Sequence, residues 1–226
     1  MKAGESKPNE TARRLLEAQY RESLAAVTER MFGVAGIVPG QRVLDLGTGG
    51  GDTALIAAER VGPTGSVLAT DASMDALQGL VAQLSALPQP LPVTVEQVAE
   101  ESIAVEPASF DVAFARNSAM YFTDLALALA NIRAALRAGG RFVASVYGPL
   151  EREPFHAVPV AAVRRRHQLN APYPDYVRAF QVSADDVERA LQNAGFLIVE
   201  RQVVPTCHSF PSLATALGAL RLSRSL

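Results

Sequence analysis

The 226-residue sequence has little cysteine, little lysine and no excess of charge of one sign. Its single cysteine, Cys207, rules out a disulfide within the chain and a zinc or iron–sulfur site built from several cysteines. Lys2 and Lys7 are the only lysines, and 21 basic residues stand against 23 acidic ones, for a net charge of −2. Because a dedicated nucleic-acid binder usually carries a basic surplus, no nucleic-acid partner is expected.

Segments that direct a chain into or across a membrane are also missing. The first residues contain no apolar stretch of the signal-peptide type, and no run of about 18 uncharged apolar residues occurs. We therefore expect a cytoplasmic protein without a membrane partner. Hydrophobic residues make up 49% of the chain and charged residues 19%, which excludes intrinsic disorder and leaves enough apolar material for a sizeable core.

Strand-type and helix-type patterns alternate along the chain. This alternation predicts an α/β protein with a Rossmann-like, doubly wound and mostly parallel sheet. The predicted strands, six in number, cover residues 42–46, 66–70, 93–98, 110–115, 141–147 and 196–204. The predicted helices cover residues 10–32, 52–61, 74–87, 125–137, 184–193 and 212–221.

A glycine-rich turn follows the first predicted strand and leads directly into a helix. It has the pattern D-x-G-x-G-x-G, at Asp45, Gly47, Gly49 and Gly51. A dinucleotide loop needs its last glycine where this chain has Asp52, and the Gly-Lys-Ser/Thr ending of a P-loop is missing. A carboxylate at the start of a helix competes with phosphate for the positive end of the helix dipole, so the loop disfavours a phosphate ligand.

With this loop, the chain resembles the class I S-adenosylmethionine-dependent methyltransferases over about residues 41–204. Further segments match in chain order: Asp71 at the end of the second strand, then 109–113, 136–142 and 193–196 at the entries to strands four, five and six. Within the class the chain looks most like the small-molecule group related to ubiquinone- and menaquinone-biosynthesis methyltransferases. The resemblance implies S-adenosylmethionine as cofactor and methyl transfer as activity.

The same resemblance implies roles for individual residues. In the family an acidic residue at the position of Asp71 holds the ribose hydroxyls of the cofactor. The family usually has an aspartate for the adenine amino group where this chain has Ala99, so we expect Glu100 or Glu101 to take that contact. The expected cofactor-binding set is Asp45, Gly47, Thr48, Gly49, Gly51, Asp71, Ala72, Glu100, Glu101, Arg116, Asn117 and Tyr20. Each of these residues also has a purely structural interpretation, as a loop anchor, a helix cap, a solvated acid or a core side chain.

Aromatic and proline residues concentrate between residues 147 and 180. They predict a stiff cover over a small apolar or aromatic methyl acceptor, although a helix packed on the sheet explains them equally well. His156 lies in this segment and is the candidate general base, because histidine titrates near neutral pH. Tyr121, after the fourth strand, is the candidate for orienting the acceptor. No metal site is expected.

The expected organisation is a single methyltransferase domain over residues 1–226. It comprises an N-terminal helical lid (1–40), the cofactor-binding core (41–147), the cover (148–182) and a C-terminal helix–strand–helix unit (183–226). The family's seventh, antiparallel strand is either stunted at residues 206–210 or missing, so the protein is a monomer or a homodimer with a covered sheet edge. Two other functions stay open: cofactor binding without methyl transfer and, disfavoured by Gly51-Asp52, a nicotinamide-dependent oxidoreductase.

Overall fold

Five parallel strands form one sheet in the computed structural model, which describes residues 18–167, 179–212 and 214–216. The strands run in the order β3-β2-β1-β4-β5. They are β1 (Arg42–Leu46), β2 (Ser66–Asp71), β3 (Val93–Gln97), β4 (Phe110–Arg116) and β5 (Leu136–Ser145). The chain builds outward from β1 to β3 and then returns to place β4 on the other side of β1. This reversal opens a crevice at the carboxyl ends of β1 and β4, as the doubly wound prediction requires.

Six α-helices of 10 to 14 residues accompany the sheet in the described part of the chain. They are α1 (Ala25–Ala35), α2 (Asp52–Val61), α3 (Met74–Ser85), α4 (Leu125–Ala135), α5 (Pro154–His167) and α6 (Ala184–Asn193). Residues 18–23 are also helical and are separated from α1 by a turn at Leu24. Side-chain oxygens of Ser73, Asp124 and Ser183 accept hydrogen bonds from the first turns of α3, α4 and α6, so these helices begin at capping residues.

Both faces of the sheet are packed in apolar side chains. Successive residues of β1 point to opposite faces: Val43 joins the cluster that contains α1 and α2, whereas Leu44 and Leu46 join the cluster around α4. On the first face, the rings of Phe32 and Phe114 lie 4.7 Å apart. Burial on both faces explains why the strand reads as a continuous apolar run and why its end is held rigidly.

Most predicted element boundaries agree with the structure to within two residues, and the N-terminal helix and the fifth strand do not. The predicted helix over 10–32 continues to Ala35, where Gly36 in the left-handed conformation ends it, and its first residues lie outside the described part. Strand β5 begins at Leu136 and not at residue 141, because Leu136 pairs with Phe110 ahead of a shift in register. Such an irregularity depends on the neighbouring strand and leaves no periodic signal in the sequence.

The predicted sixth strand is wrong. Residues 196–210 form no strand, which also removes the stunted strand predicted at 206–210. Apolar residues alternate along this segment, which suggested a strand, but Leu197, Val199 and Val203 are between 87% and 89% exposed. A period of two shows that a segment can pair, but a strand forms only when a neighbour supplies its hydrogen bonds. Of the helix predicted at 212–221, the structure describes residue 212, which is not helical, and residues 214–216, which are.

None of the helices within the described ranges is both long enough and apolar enough to cross a membrane.

Candidate active site

The glycine-rich turn lies at the carboxyl end of β1 and approaches its neighbours closely. Gly47, Gly49 and Gly51 have positive φ values of 63°, 54° and 88°. A Cβ on Gly47 would lie 2.4 Å from Ser118 Cβ, and one on Gly51 would lie 2.4 Å from Leu80 Cδ1. At both positions a side chain would clash with its neighbours and would also disfavour the backbone conformation, so glycine is required. The Gly51 N–H closes the turn by donating to the Thr48 carbonyl oxygen, and the Thr48 N–H joins the turn to β2 by donating to the Thr70 carbonyl oxygen, both over 2.9 Å.

Asp45 lies beneath this turn with only 1% of its surface exposed. Its Oδ2 accepts hydrogen bonds of 2.6 Å from the hydroxyls of Thr48 and Thr53. Its Oδ1 is buried and has no partner among the residues that the structure describes. Burial raises the pKa of Asp45, while the two threonine hydroxyls and Arg116 act to lower it. A buried oxygen without a partner is costly, so this atom is a candidate contact for a ligand.

Asp71 ends β2 and holds two backbone groups. Its Oδ2 accepts from the Gly49 N–H and its Oδ1 from the Ser73 N–H, both over 2.9 Å. The carboxylate thereby links the glycine turn to the start of α3. The following Ala72 is exposed, and its carbonyl oxygen accepts from Gln97 Nε2 over 3.1 Å. Each carboxylate oxygen keeps a further lone pair, so Asp71 can still accept hydrogen bonds from a diol.

Glu100 and Glu101, adjacent in sequence, lie in different surroundings. Glu100 is 7% exposed, and its Oε1 would lie 3.6 Å from a Cβ placed on Gly47, so its carboxyl group borders the glycine turn. Glu101 instead accepts hydrogen bonds at Oε1 from the backbone N–H groups of Thr123 and Asp124, just before α4. The structure therefore brings Glu100 to the turn and gives Glu101 a loop-anchoring contact.

Glu100 is expected to make the stability of the ligand-free protein depend on pH. Burial, together with the charge of Asp71, raises its pKa from 4.5 to about 7. The folded state therefore favours the protonated form, and this stabilisation is complete below about pH 4.5 and is lost as the pH rises through about 7. Each unit of pKa shift corresponds to about 1.4 kcal/mol, and water penetration reduces the effect. Glu100→Gln should therefore stabilise the protein by about 1–3 kcal/mol near pH 8 and change its stability little near pH 4.

Thermal melts of the wild type and of Glu100→Gln between about pH 4 and pH 8 would measure the effect. Glu106→Gln, in an exposed glutamate of the same loop, is the matched control. A Glu100→Gln variant whose melting temperature follows the wild type at every pH would contradict the buried, protonated state of Glu100.

An ion network joins the N-terminal helical segment to the crevice. Asp52, at the start of α2, accepts from Arg21 Nε over 2.8 Å at Oδ1 and from Arg116 Nη2 over 3.2 Å at Oδ2. Arg116 also donates from Nη1 to the Thr28 hydroxyl over 2.8 Å. The Asp52 carboxylate thus occupies the positive end of the helix, as the sequence suggested, and both arginines are held near it.

Asn117 follows β4 with φ at +52°, a value that few residues other than glycine adopt. Hydrogen bonds to β5 hold it there: its N–H lies 3.1 Å from the Ser145 carbonyl oxygen, and its Oδ1 accepts from Ser145 Oγ over 2.8 Å. The next residue, Ser118, donates from Oγ to the Leu46 carbonyl oxygen over 2.8 Å. The ends of β1, β4 and β5 are therefore locked together, and such fixed strain is common at functional sites.

Aromatic side chains gather beyond the carboxyl end of β5. Tyr147 stacks on Phe180 with 5.1 Å between ring centroids, and its ring centroid lies 5.6 Å from that of His156. The Tyr147 and Tyr20 hydroxyls are 2.8 Å apart, which brings the N-terminal segment against this group. Partial burial and the neighbouring Tyr20 raise the pKa of Tyr121 to about 12, so its hydroxyl stays protonated. Of the predicted cover, Tyr173 and Tyr176 lie outside the described residues.

His156 is 8% exposed, and its Nδ1 has no partner among the described residues. The neighbouring Phe155 stacks on His208 and Phe210, with 4.7 and 5.2 Å between ring centroids. These contacts connect the surroundings of His156 to the segment after α6. Burial, with a smaller contribution from His208, lowers the pKa of His156 to about 4. The ring is therefore neutral at physiological pH and able to accept a hydrogen bond.

Several contacts of the crevice escape the sequence prediction. Ser118 directly follows Asn117, and Thr53 comes two residues after Gly51, so the positions of these two hydroxyls alone could have indicated them. Arg21 and Tyr147 contact residues far away in sequence, and no local pattern indicates those pairs. No group of three or more possible metal ligands was found within the described ranges.

The comparisons with known proteins agree with this geometry. A family model described as "Methyltransferase domain" matches residues 37–195. A solved S-adenosylmethionine-dependent methyltransferase from Mesorhizobium loti is 25% identical, with a TM-score of 0.57, over 76% of this chain and 81% of that one. Another from Aquifex aeolicus shares the fold, with a TM-score of 0.61 at 18% identity over 84% and 89% of the two chains.

Among curated proteins, the ribosomal RNA large subunit methyltransferase E of Chromohalobacter salexigens is 38% identical over 119 residues. The match covers 48% of this chain and 55% of that protein. A second match, to an uncharacterised transposon protein of Streptomyces fradiae, covers 46% of this chain and 30% of that protein. The chain thus spans about half or less of the curated relatives that it matches. The family match is broader, since it includes the sheet, the glycine turn and α6. The chain therefore belongs to the methyltransferase domain family and has the class I S-adenosylmethionine-dependent fold.

Proposed function

We propose that the chain transfers the methyl group of S-adenosylmethionine to a small, neutral, apolar or aromatic molecule. One observation carries the proposal: the crevice has an acidic half around the glycine turn and an aromatic half beyond β5. The acidic half contains Asp45, Asp71 and Glu100, and the aromatic half contains Tyr147 and His156. An acceptor of quinone-precursor type, as in the group that the sequence resembles, suits the aromatic half.

The acidic half fits the cofactor's chemistry. S-adenosylmethionine supplies, when bound, a methyl group on a positively charged sulfonium ion. Asp71 would hold the ribose hydroxyls and Glu100 the adenine amino group, while the unpartnered Asp45 Oδ1 would face the amino group of the methionine part. Arg21 and Arg116 share the single Asp52 carboxylate, so one positive charge remains, and Arg116 is the proposed cation for the methionine carboxylate, with Asn117 bordering that end. The turn residues Gly47, Thr48, Gly49 and Gly51, with Ala72, would line the rest.

The remaining residues would orient the acceptor and exclude water. Tyr20 and the lid over residues 1–40 would close the crevice from one side, and the cover over 148–182 from the other. Tyr121 would orient the acceptor, and His156 would take up the proton that the acceptor's nucleophilic group loses. Positioning of this kind can account for about 7–11 kcal/mol of the barrier. We also propose a cytoplasmic location and a monomer or homodimer.

Replacing His156 with alanine is expected to lower turnover by about 10- to 100-fold and to leave the affinity for S-adenosylhomocysteine within about twofold. The effect falls short of the full range for a general base because a pKa of about 4 lies far from neutral pH. Because the ring is already neutral, the rate should show no histidine titration near pH 6.5. Val158→Ala, at a 65% exposed position of the same helix, is the control. Equal turnover in wild type and His156→Ala would remove His156 from the mechanism.

The curated relative from Chromohalobacter salexigens suggests ribosomal RNA as a second candidate acceptor. The charges do not favour it. The net charge is −2, and several arginines at the described surface are paired with acids: Arg21 with Asp52, Arg30 with Glu200, and Arg201 with Asp185 and Glu188. RNA binding depends on free cations that neutralise phosphates.

A screen with tritiated S-adenosylmethionine tests the proposal. Neutral phenols, hydroquinones and aromatic amines form one arm, aromatic carboxylates a second and ribosomal RNA a third, with release of S-adenosylhomocysteine measured in parallel. We expect label in the neutral arm. Label in RNA alone would replace the proposed substrate class, and binding of S-adenosylhomocysteine without transfer to any acceptor would favour a cofactor-binding protein.

A further inference from the structure

We propose that the paired hydroxyls of Tyr20 and Tyr147 position the methyl acceptor. One hydroxyl of the pair donates to the other, and the remaining hydroxyl hydrogen is donated to a neutral oxygen or nitrogen atom of the acceptor. The inference rests on the proposed function and specifies which chemistry the aromatic half of the crevice recognises. It concerns a contact between residues 127 positions apart, which no sequence motif contains.

The first support is where the pair lies. Tyr147 comes two residues after β5, and Tyr121 follows the neighbouring strand β4 within a short helical turn. Tyr20 reaches the same place from the N-terminal segment, where the adjacent Arg21 is bound to Asp52 at the start of α2. Three phenol groups thus approach the carboxyl ends of β4 and β5, the part of a doubly wound sheet at which ligands bind.

The second support is the count of donors. Two phenol hydroxyls carry two hydrogens, and the 2.8 Å contact between Tyr20 and Tyr147 uses one of them. No other hydrogen bond to either hydroxyl occurs among the described residues, so one hydrogen remains available. Either hydroxyl can be the donor in this contact, so the remaining hydrogen lies on Tyr20 or on Tyr147, and the Tyr147 ring is held by stacking on Phe180. A spare donor in a pair with one ring held in place can select a ligand atom by its position as well as its chemistry.

The third support is the charge of the surroundings. Burial and the Tyr20 hydroxyl raise the pKa of Tyr147 well above its ordinary value, so the phenol is neutral. His156 beside it is neutral as well, and the nearby Arg21 is already paired with Asp52. The carboxyl group of Glu153 also acts on Tyr147, so an anionic acceptor would meet an acidic group and no free cation, and a cationic one would meet a hydroxyl hydrogen. The pair therefore suits a neutral aromatic molecule with a carbonyl, hydroxyl or amine group.

A set of isosteric probes tests the inference without requiring the natural acceptor. Benzamide is neutral and accepts a hydrogen bond, benzoate is an anion, and toluene has no acceptor atom. Their binding to the full chain saturated with S-adenosylhomocysteine is measured by calorimetry or ligand-observed NMR. We expect the double variant Tyr20→Phe/Tyr147→Phe to bind benzamide about three- to tenfold more weakly, the usual effect of one neutral hydrogen bond, and toluene as tightly as wild type does.

Each single variant should retain part of the affinity for benzamide, because the remaining hydroxyl still donates. Ser85→Ala, which removes a hydroxyl from the exposed face of α3, is the control. The inference is overturned if benzamide fails to bind the wild type, if benzoate binds as well as benzamide, or if benzamide and toluene weaken together in the double variant. That last result would assign the pair a structural role only.

The outcomes also separate this inference from the proposed function. If benzamide shows the expected loss but no metabolite accepts a methyl group, methyl transfer is refuted and the recognition of neutral acceptors stands. If methyl transfer to a neutral phenol is found and its KM is the same in wild type and double variant, the tyrosine pair alone is refuted. A rise in KM with little change in kcat is the result that a positioning role predicts.

Discussion

Replacing Gly47 with alanine is expected to weaken cofactor binding strongly and to lower the stability of the protein. The new Cβ would lie 2.4 Å from Ser118 Cβ, well inside van der Waals contact, and φ at this residue is +63°. Ser118 cannot move away freely, because its Oγ donates to the Leu46 carbonyl oxygen over 2.8 Å. Relief of the clash must therefore separate the ends of β1 and β4, which form the crevice. We expect a loss of affinity for S-adenosylhomocysteine of about 100-fold or more and destabilisation by about 2–4 kcal/mol.

Gly195 provides the matched control for the backbone conformation. Its φ is +84°, and nothing lies within 4 Å of an added Cβ. Gly195→Ala should therefore cost about 1 kcal/mol of stability and leave cofactor affinity unchanged. Calorimetric titration and thermal melts on the three proteins measure both quantities. If Gly47→Ala binds S-adenosylhomocysteine as Gly195→Ala does, the turn is not the cofactor site.

Asp71→Ala is expected to have the second largest effect. The substitution removes the acceptor for the Gly49 and Ser73 N–H groups and, on our proposal, two charged hydrogen bonds to the ribose. At about 1.5–3 kcal/mol for each bond to the ligand, affinity for S-adenosylhomocysteine should fall by about 100- to 10,000-fold. Asp71→Asn should lie between this variant and the wild type, because the amide keeps one acceptor oxygen.

Asp75, exposed in the first turn of α3, is the control for loss of a nearby negative charge. Asp75→Ala should bind S-adenosylhomocysteine as the wild type does. Stability measured without ligand separates the two parts of the Asp71 effect, since the backbone contacts act there and the ribose contacts do not. An Asp71→Ala variant that loses stability but keeps its affinity would restrict Asp71 to capping the turn.

The parts of the fold that sequence patterns predict are those that local chemistry determines. The glycine spacing fixes where β1 ends and α2 begins, because positive φ values at Gly47 and Gly51 leave little choice of residue. The position of Asp71 near the turn can also be predicted, because Asp71 lies at the end of β2, the strand next to β1. The roles expected for Glu100 and Glu101 were equivalent in the sequence, and only the structure separates them, because burial depends on the whole fold.

Contacts across long stretches of chain escape such patterns. The pairing of Arg21 with Asp52, and that of Tyr20 with Tyr147, depends on how the N-terminal segment lies over the sheet. The failed strand at 196–204 has the same physical origin. Its alternation is a local property, whereas hydrogen bonding to a neighbouring strand is not.

A crystal structure of the full chain with S-adenosylhomocysteine tests the central claim most directly. We predict one ligand in the crevice between β1 and β4, with its ribose at the Asp71 carboxylate, its adenine beside Glu100 and its methionine amino group toward Asp45 Oδ1. Ligand bound outside this crevice, or a ribose away from Asp71, would contradict the account.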